Sequence, residues 1–332
     1  MDVLWNFEIS ITLFLQSLGD WLQYPMKAIT SLGNEDFYIL FLPAFYWCIN
    51  SWVGLRILFV LMISGGINTS LKFLFHSPRP FWFDPSVKAF ASETSFGLPS
   101  GHAQNAVPFW GTLAIHAKKK MVTILALVLI LLIGLSRIYL GVHFLRDVLT
   151  GWLIGGLILW IYSKVEHKIA ARIQNKSLPY QIGTIFLFSI SIVVIGLISR
   201  AVSLNWVFPR EWAQAALQKT GESPNPLDPS GLATLAGVTF GFLSGFAWRF
   251  RKFGEIKVEG PLTQRFMRYF VGIIGVVILY LGLHSIFPEE PLVLGFFLRF
   301  IRYALIGIWI SAIAPALFVK LRLQKQEARK KI

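Results

Sequence analysis

The sequence predicts an all-α, polytopic membrane protein, and three observations carry that prediction. Only 14% of the 332 residues are charged, while 55% are hydrophobic and 15% aromatic; a typical soluble domain carries about 25% charged residues. Mean hydropathy is +0.61, and apolar stretches recur at the length of about 17–25 residues that a helix needs to cross a bilayer. The basic residues behind the net charge of +14 are confined to short segments between those stretches. That distribution marks the cytoplasmic side of a membrane protein. It argues for the lipid bilayer, and against nucleic acid, as the partner the charge serves.

The first twenty residues lack the basic region and small-residue cleavage site of a secretory signal. Asn6, Glu8 and Gln16 break up their apolar residues, which predicts an N-terminal interfacial helix, with a tenth span as the alternative. About nine transmembrane helices follow, near residues 36–53, 55–75, 100–117, 121–138, 145–163, 182–200, 230–248, 268–287 and 298–319. Gly65-Gly66, Gly155-Gly156, Gly272 and Gly275 lie inside them, where small residues let membrane helices approach closely. Cys48 is the single cysteine, so no intramolecular disulfide forms and a cysteine metal site is not expected.

The loops assign the sides. Lys118 to Lys120 follow the third helix, and Lys164, Lys168, Arg172 and Lys176 the fifth. Arg249, Arg251, Lys252, Lys257, Arg265 and Arg268 follow the seventh, and Lys320, Arg322, Lys325, Arg329, Lys330 and Lys331 end the chain. If nine helices alternate, all four clusters fall on one side, which is then cytoplasmic. The acidic turn Phe287-Pro288-Glu289-Glu290-Pro291 falls on the other. Two outer segments, 76–99 and 201–229, are long; the second carries Trp206, Pro209 and Trp212. Long ordered loops tend to be functional.

Three polar clusters sit at the outer helix ends. Lys72 to Pro80 (KFLFHSPRP) closes the second helix, and Pro99-Ser100-Gly101-His102 opens the third. Ser136-Arg137, with His143 and Asp147, bridges the fourth and fifth. Ionisable groups are expensive at such depth, so they suggest a site. Lys72, Arg79 and Arg137 supply three fixed cations, and an arginine fork suits phosphate oxygens. Ser100 and Gly101 begin a helix, where free N–H groups and the dipole favour an anion. His143 and Asp147 are four apart and share a face if the fifth helix begins there. A carboxylate beside an imidazole fixes its tautomer and leaves the other nitrogen free to attack. His102, from another helix end, is suited to protonate a leaving oxygen.

In this order, K-x6-R-P, P-S-G-H and S-R-x5-H-x3-D resemble the motifs of the type 2 phosphatidic acid phosphatase superfamily. That superfamily includes lipid phosphate phosphatases, undecaprenyl diphosphate phosphatases, glucose-6-phosphatases and vanadium haloperoxidases. Lys72, Arg79, Pro80, Pro99, Ser100, Gly101, His102, Ser136, Arg137, His143 and Asp147 all match. The resemblance implies His143 as nucleophile, Asp147 as its partner and His102 as acid, then base. It implies Lys72, Arg79, Ser100, Gly101 and Arg137 as phosphate ligands. It covers residues 1–165, the expected catalytic helical bundle. Residues 166–332 are a C-terminal membrane extension, for which dimerisation (a homodimer through these helices) or a substrate gate are open roles.

Each signal alone has a plain alternative: a positive helix end, a serine cap, a structural histidine–carboxylate bond. Jointly those alternatives must explain every matched position, in order, on one face, and they fail. Elsewhere the plain reading holds. His76 faces water, Asp84 and Glu93 serve loop solubility or pair with the cations, and His116 and His167 have no catalytic neighbours. Arg146 snorkels or touches substrate. Phe81-Trp82-Phe83 forms an interfacial rim or a membrane anchor. With cations around the histidines, neither a metal nor another cofactor is expected. The expected function is a metal-independent lipid phosphate or diphosphate phosphatase, acting through phosphohistidine on a membrane lipid. Its site then faces a periplasm, cell exterior or organelle lumen. The rivals are a lipid phosphotransferase, a phosphatase for soluble sugar phosphates and, from another class, a lipid or ion transporter.

Overall fold

A computed structural model describes residues 2–254, 258–288 and 290–325. Lys257, Glu289 and the basic positions Arg329, Lys330 and Lys331 lie outside the described residues. The described chain is helical and, within those residues, contains no strand: α1 (Asp2–Ser17), α2 (Gln23–Ser31), α3 (Glu35–Cys48), α4 (Ser51–Phe75), α5 (Pro80–Phe83), α6 (Gly101–Ala117), α7 (Lys120–Tyr139), α8 (Leu145–Gln174), α9 (Leu178–Val202), α10 (Arg210–Thr220), α11 (Ser230–Phe253), α12 (Leu262–Ile286), α13 (Leu292–Ile308) and α14 (Ala314–Lys320).

Seven helical stretches among the described residues are long and apolar enough to cross a membrane: Ser51–Phe83, Lys120–Tyr139, Leu145–Gln174, Leu178–Val202, Ser230–Phe253, Leu262–Ile286 and Leu292–Lys320. The other two expected spans, 36–53 and 100–117, coincide with α3 and α6, which have 14 and 17 residues. At 1.5 Å per residue these reach about 21 and 26 Å, against about 30 Å of hydrocarbon. Lys118 ends α6 in the left-handed conformation, with φ of 51°.

The chain divides into two compact units. The first comprises Met1–Tyr38, Ile63–Tyr162 and Ile195–Pro229. Within it α1 is inverted relative to a soluble amphipathic helix. Glu8, Thr12 and Gln16, four apart, are buried, while Val3, Leu4, Phe7 and Phe14 are exposed. Gln16 Nε2 donates to the carbonyls of Lys88 (2.8 Å) and Tyr139 (3.0 Å), and Gln16 Oε1 accepts from Lys88 N. Where the solvent is lipid, apolar groups belong outside and polar groups must find partners within. Two glycines bring α8 onto α6. A Cβ on Gly151 would stand 2.8 Å from Ser100 O, and one on Gly155 would overlap Gln104 O, whereas Gly156 faces open space.

The segment 76–99 is anchored from two directions. Phe81 and Trp82 are buried, packing with Ile9, Phe96, Tyr139 and Phe144, and only Phe83 reaches the surface. The expectation of an aromatic interfacial rim there is therefore wrong for two of its three rings; α5 turns them into the core. The loop 201–229 supplies α10, which the sequence reading did not single out. Lys219 donates to the carbonyls of Asp84 and Val87, Asn225 N to Thr94 O and Ser92 Oγ to Glu222.

The second unit comprises Ile39–Met62, Ser163–Val194 and Ser230–Ile332. Its core gathers Tyr46, Trp47, Leu58, Phe242, Val276, Tyr303, Ile306 and Phe318. Gly237, Gly241 and Gly245 line one face of α11, and a Cβ on Gly241 would overlap the Ala304 carbonyl of α13. A π-helical turn, Trp309–Ile313, links α13 to α14. Trp47 Nε1 donates to its Ile310 carbonyl and Tyr46 Oη to its Ser311 carbonyl.

Candidate active site

The three motif clusters converge in the first unit. Arg79 is fully buried and is the hub. Its Nε donates to Ser95 O (2.7 Å), its Nη1 to Val142 O (2.9 Å), and its Nη2 to Ser95 Oγ (3.0 Å) and Phe96 O (3.2 Å). Nη1 also lies 3.1 Å from His143 Nε2. A guanidinium can only donate, so Nε2 is the acceptor and is the unprotonated ring nitrogen. Nδ1 therefore holds the proton and faces Asp147 Oδ2 at 3.3 Å.

Asp147 reaches His143 by a different route from the expected shared helix face. The helix begins at Leu145, so His143 precedes it. The tight 140–147 turn makes the contact instead, with Phe144 N donating to Asp147 Oδ2 at 2.9 Å and Asp147 N to Phe144 O. Burial, then the charges of Arg79, Arg137, Lys72 and His102, holds the His143 imidazole well below its usual range. It stays neutral near pH 7, the state in which an imidazole nitrogen can act as a nucleophile.

Ser100 caps α6, its hydroxyl accepting from Ala103 N, while its own N–H donates to Asp147 O. Behind the turn runs a buried polar chain. Asn68 Nδ2 donates to Pro99 O and Gln104 Oε1, and Gln104 Nε2 donates to Ser64 O. Gly97 is required by closeness: a Cβ there would stand 2.6 Å from Pro78 O and 3.0 Å from Asp147 Oδ2. His102 Nε2 is 2.7 Å from Asn34 Oδ1, which gives that nitrogen the proton and orients the ring.

The cations are held apart by an internal acid. Lys72 Nζ donates to Ser95 Oγ at 2.9 Å, and Arg137 Nη1 to Thr30 Oγ1 at 3.0 Å. Glu93 bridges the two arginines, Oε2 lying 3.4 Å from Arg79 Nη2 and Oε1 accepting from Arg137 Nη2. Burial opposes ionisation of Glu93, but Arg79 and Arg137, then His102 and Lys72, outweigh it and hold the carboxyl below the usual carboxylate range. Of the two roles open to Glu93, pairing with the cations is the one it takes.

Arg146 and His76 do not behave as expected. Arg146 lies 3.4 Å over the Trp5 ring and 3.3 Å from Glu8, so it neither snorkels nor reaches the histidines. His76 stacks on Trp206 rather than facing water.

Residues 53–170 match the model of the PAP2 superfamily, and residues 233–327 match that of the PAP2 superfamily phosphatase transmembrane extension. Phosphatidylglycerophosphatase B of Bacillus subtilis (strain 168) is 35% identical over 162 residues, covering 45% of this chain and 77% of that protein. The chain belongs to the PAP2 superfamily. It is an integral membrane phosphatase. Sphingosine-1-phosphate phosphatase 1 of Mus musculus is 30% identical over 172 residues, 50% of this chain and 39% of that one. Glucose-6-phosphatase catalytic subunit 1 of Mus musculus is 32% identical over 226 residues, 58% and 61%. The chain thus spans less than two thirds of either mammalian relative.

The PAP2 motif positions carry only part of this site. Thr30, Asn34, Asn68, Ser95, Gly97 and Gln104 are not among the expected site residues. Asn68 and Gln104 left a trace, as amides inside apolar runs that need partners.

Proposed function

We propose that this PAP2 phosphatase removes phosphate from a lipid phosphate through a phosphohistidine formed on His143, without a metal. The observation that carries the reading is the His143 lone pair on Nε2, set against the Arg79 guanidinium with Nδ1 turned to Asp147. A phosphate held by Arg79, Arg137, Lys72 and the start of α6 stands in front of that nitrogen. Nε2 attacks phosphorus in line, the P–O ester bond breaks, and His102, entering the step as the imidazolium, gives the departing alkoxide its Nδ1 proton while its Nε2 proton stays hydrogen-bonded to Asn34. His102 then takes a proton from water, which attacks the P–N bond and releases phosphate and free His143. Fixed cations stabilise the equatorial oxygens, the part a metal takes in other phosphoryl transfers. A divalent ion would be repelled by three cations.

The topology that goes with this chemistry has nine spans, α3 and α6 included, with α1 at the interface and the site on the extracytoplasmic face. A lipid can present its phosphate at head-group depth and keep its tails in hydrocarbon, saving about 0.8 kcal/mol per CH₂. The named activities of the B. subtilis and mouse sphingosine relatives support a lipid substrate. The test compares phosphatidic acid, a sphingoid-base phosphate and an isoprenyl diphosphate with glucose 6-phosphate in mixed micelles containing excess chelator. A lipid should show the highest kcat/KM. Preference for the sugar phosphate would overturn the substrate assignment, and activity that only added metal restores would overturn the mechanism.

A further inference from the structure

The second unit carries cations that the phosphatase chemistry does not use. Arg299 and Arg302 lie on α13, which begins at Leu292, so they sit roughly 10 and 15 Å along its axis. Arg249, Arg251, Lys252, Arg265, Arg268, Lys320 and Arg322 gather at the opposite ends of α11, α12 and α14. By the distribution of basic residues, the 287–291 end is the outer one. Arg299 and Arg302 lean toward that end, as side chains on a helix point back along it.

Arg302 is only 6% exposed. Its Nη1 donates to His284 Nδ1 at 2.8 Å, and its guanidinium lies 5.2 Å from the Tyr303 ring and 5.8 Å from the Tyr280 ring. Its Nε is buried without a hydrogen-bond partner. Arg299 Nε donates to Thr234 Oγ1 at 2.8 Å. Among the described residues, no carboxylate lies within ion-pair distance of either arginine, and Glu290 in the adjoining turn is exposed. Arg268, equally buried, shows what a satisfied arginine looks like here: it donates to the carbonyls of Trp47, Val258 and Glu259. A buried guanidinium whose Nε has no partner and which meets no carboxylate among the described residues is costly enough to point to an anion.

The donor set fits a phosphate. Because Arg302 can only donate, His284 Nδ1 accepts from it and orients the guanidinium. His284 and Tyr280 are exposed on the surface, so the cluster opens outward from the buried Arg302. We propose that Arg299 and Arg302 bind the phosphate of an anionic group at the outer end of α12 and α13, a site separate from the catalytic residues. The planar guanidinium fork pairs with phosphate oxygens through charge-assisted hydrogen bonds.

Native mass spectrometry of the full-length protein in detergent tests this, with orthovanadate present to block the catalytic seat. Phosphatidylglycerol is added stepwise, and diacylglycerol serves as the uncharged control. One phosphatidylglycerol should bind and diacylglycerol should not. Arg299→Gln and Arg302→Gln should each weaken binding about tenfold or more, the worth of a charge-assisted hydrogen bond. Arg299 is half-buried, so its variant carries the test if Arg302→Gln does not fold. Millimolar inorganic phosphate that displaces the lipid identifies solute phosphate as the occupant, and lipid that persists identifies the head group. Equal retention by both variants, or equal binding of diacylglycerol, would overturn the proposal.

Discussion

Arg79 sets the protonation of His143 by donating to Nε2, and Glu93 occupies the space between Arg79 and Arg137 in which we propose the substrate phosphate binds. Substrate must therefore displace a carboxylate that two arginines hold. Glu93→Gln should lower KM and tighten orthovanadate inhibition by roughly 5- to 30-fold, if the displacement costs about 1–2 kcal/mol. A weaker inhibition would count against Glu93 as a competitor for the seat. The same substitution should reduce thermal stability, with a defined pH dependence. The folded carboxyl titrates below its ordinary value of 4.5, so its stabilisation is fully present above pH 4.5 and is lost as pH falls through the folded value. The Tm gap between wild type and Glu93→Gln should close under acid; a gap that widens there would contradict the pairing. The motif residues could be read from type and order because each group does one chemical job. Asn34 and Thr30 could not, since each acquires its partner only when α2 and the following turn fold against distant helices.

Helix positions were legible because nine apolar runs are long and their basic ends fall in order. What the runs could not give was length within the bilayer, as α3 and α6 show, or the facing of a half-polar segment. In α1 the same Glu8 and Gln16 that argue against a span are the inward face, because Gln16 serves the backbone of Lys88 and Tyr139. The glycine pair in α8 separates packing from propensity. Gly155→Ala drives a methyl into the Gln104 carbonyl and should cost about 1–3 kcal/mol by overpacking. Gly156→Ala, with open space around it, should be neutral or stabilising by up to about 1 kcal/mol. Thermal unfolding in detergent checks the pair, and equal Tm values would show that α6 and α8 have room to separate.

Across the whole chain, the proposed nine-span topology puts Lys72, Arg79, His102 and His143 outside and Lys118–Lys120 in the cytoplasm. Single cysteines near Phe90 and at Lys119, in a Cys48→Ser background, should divide cleanly: a membrane-impermeant thiol reagent applied to intact cells labels the first and spares the second. The reverse pattern would place the chemistry on the cytoplasmic side. The role of the C-terminal region was not legible in its sequence, because its arginines become conspicuous only once Arg302 is seen buried with no carboxylate beside it among the described residues.

Covalent trapping reaches the central claim most directly. In a His102→Ala variant the first step lacks its acid and the second its base, so turnover should fall by about 10²–10⁴-fold. A substrate with a good leaving group needs no acid, so ³²P-labelled substrate of that kind should leave a phosphoenzyme that acid destroys and alkali spares. Peptide mapping should place the label on His143, and His143→Ala should carry none. Label on any other residue, or its retention in His143→Ala, would contradict the account.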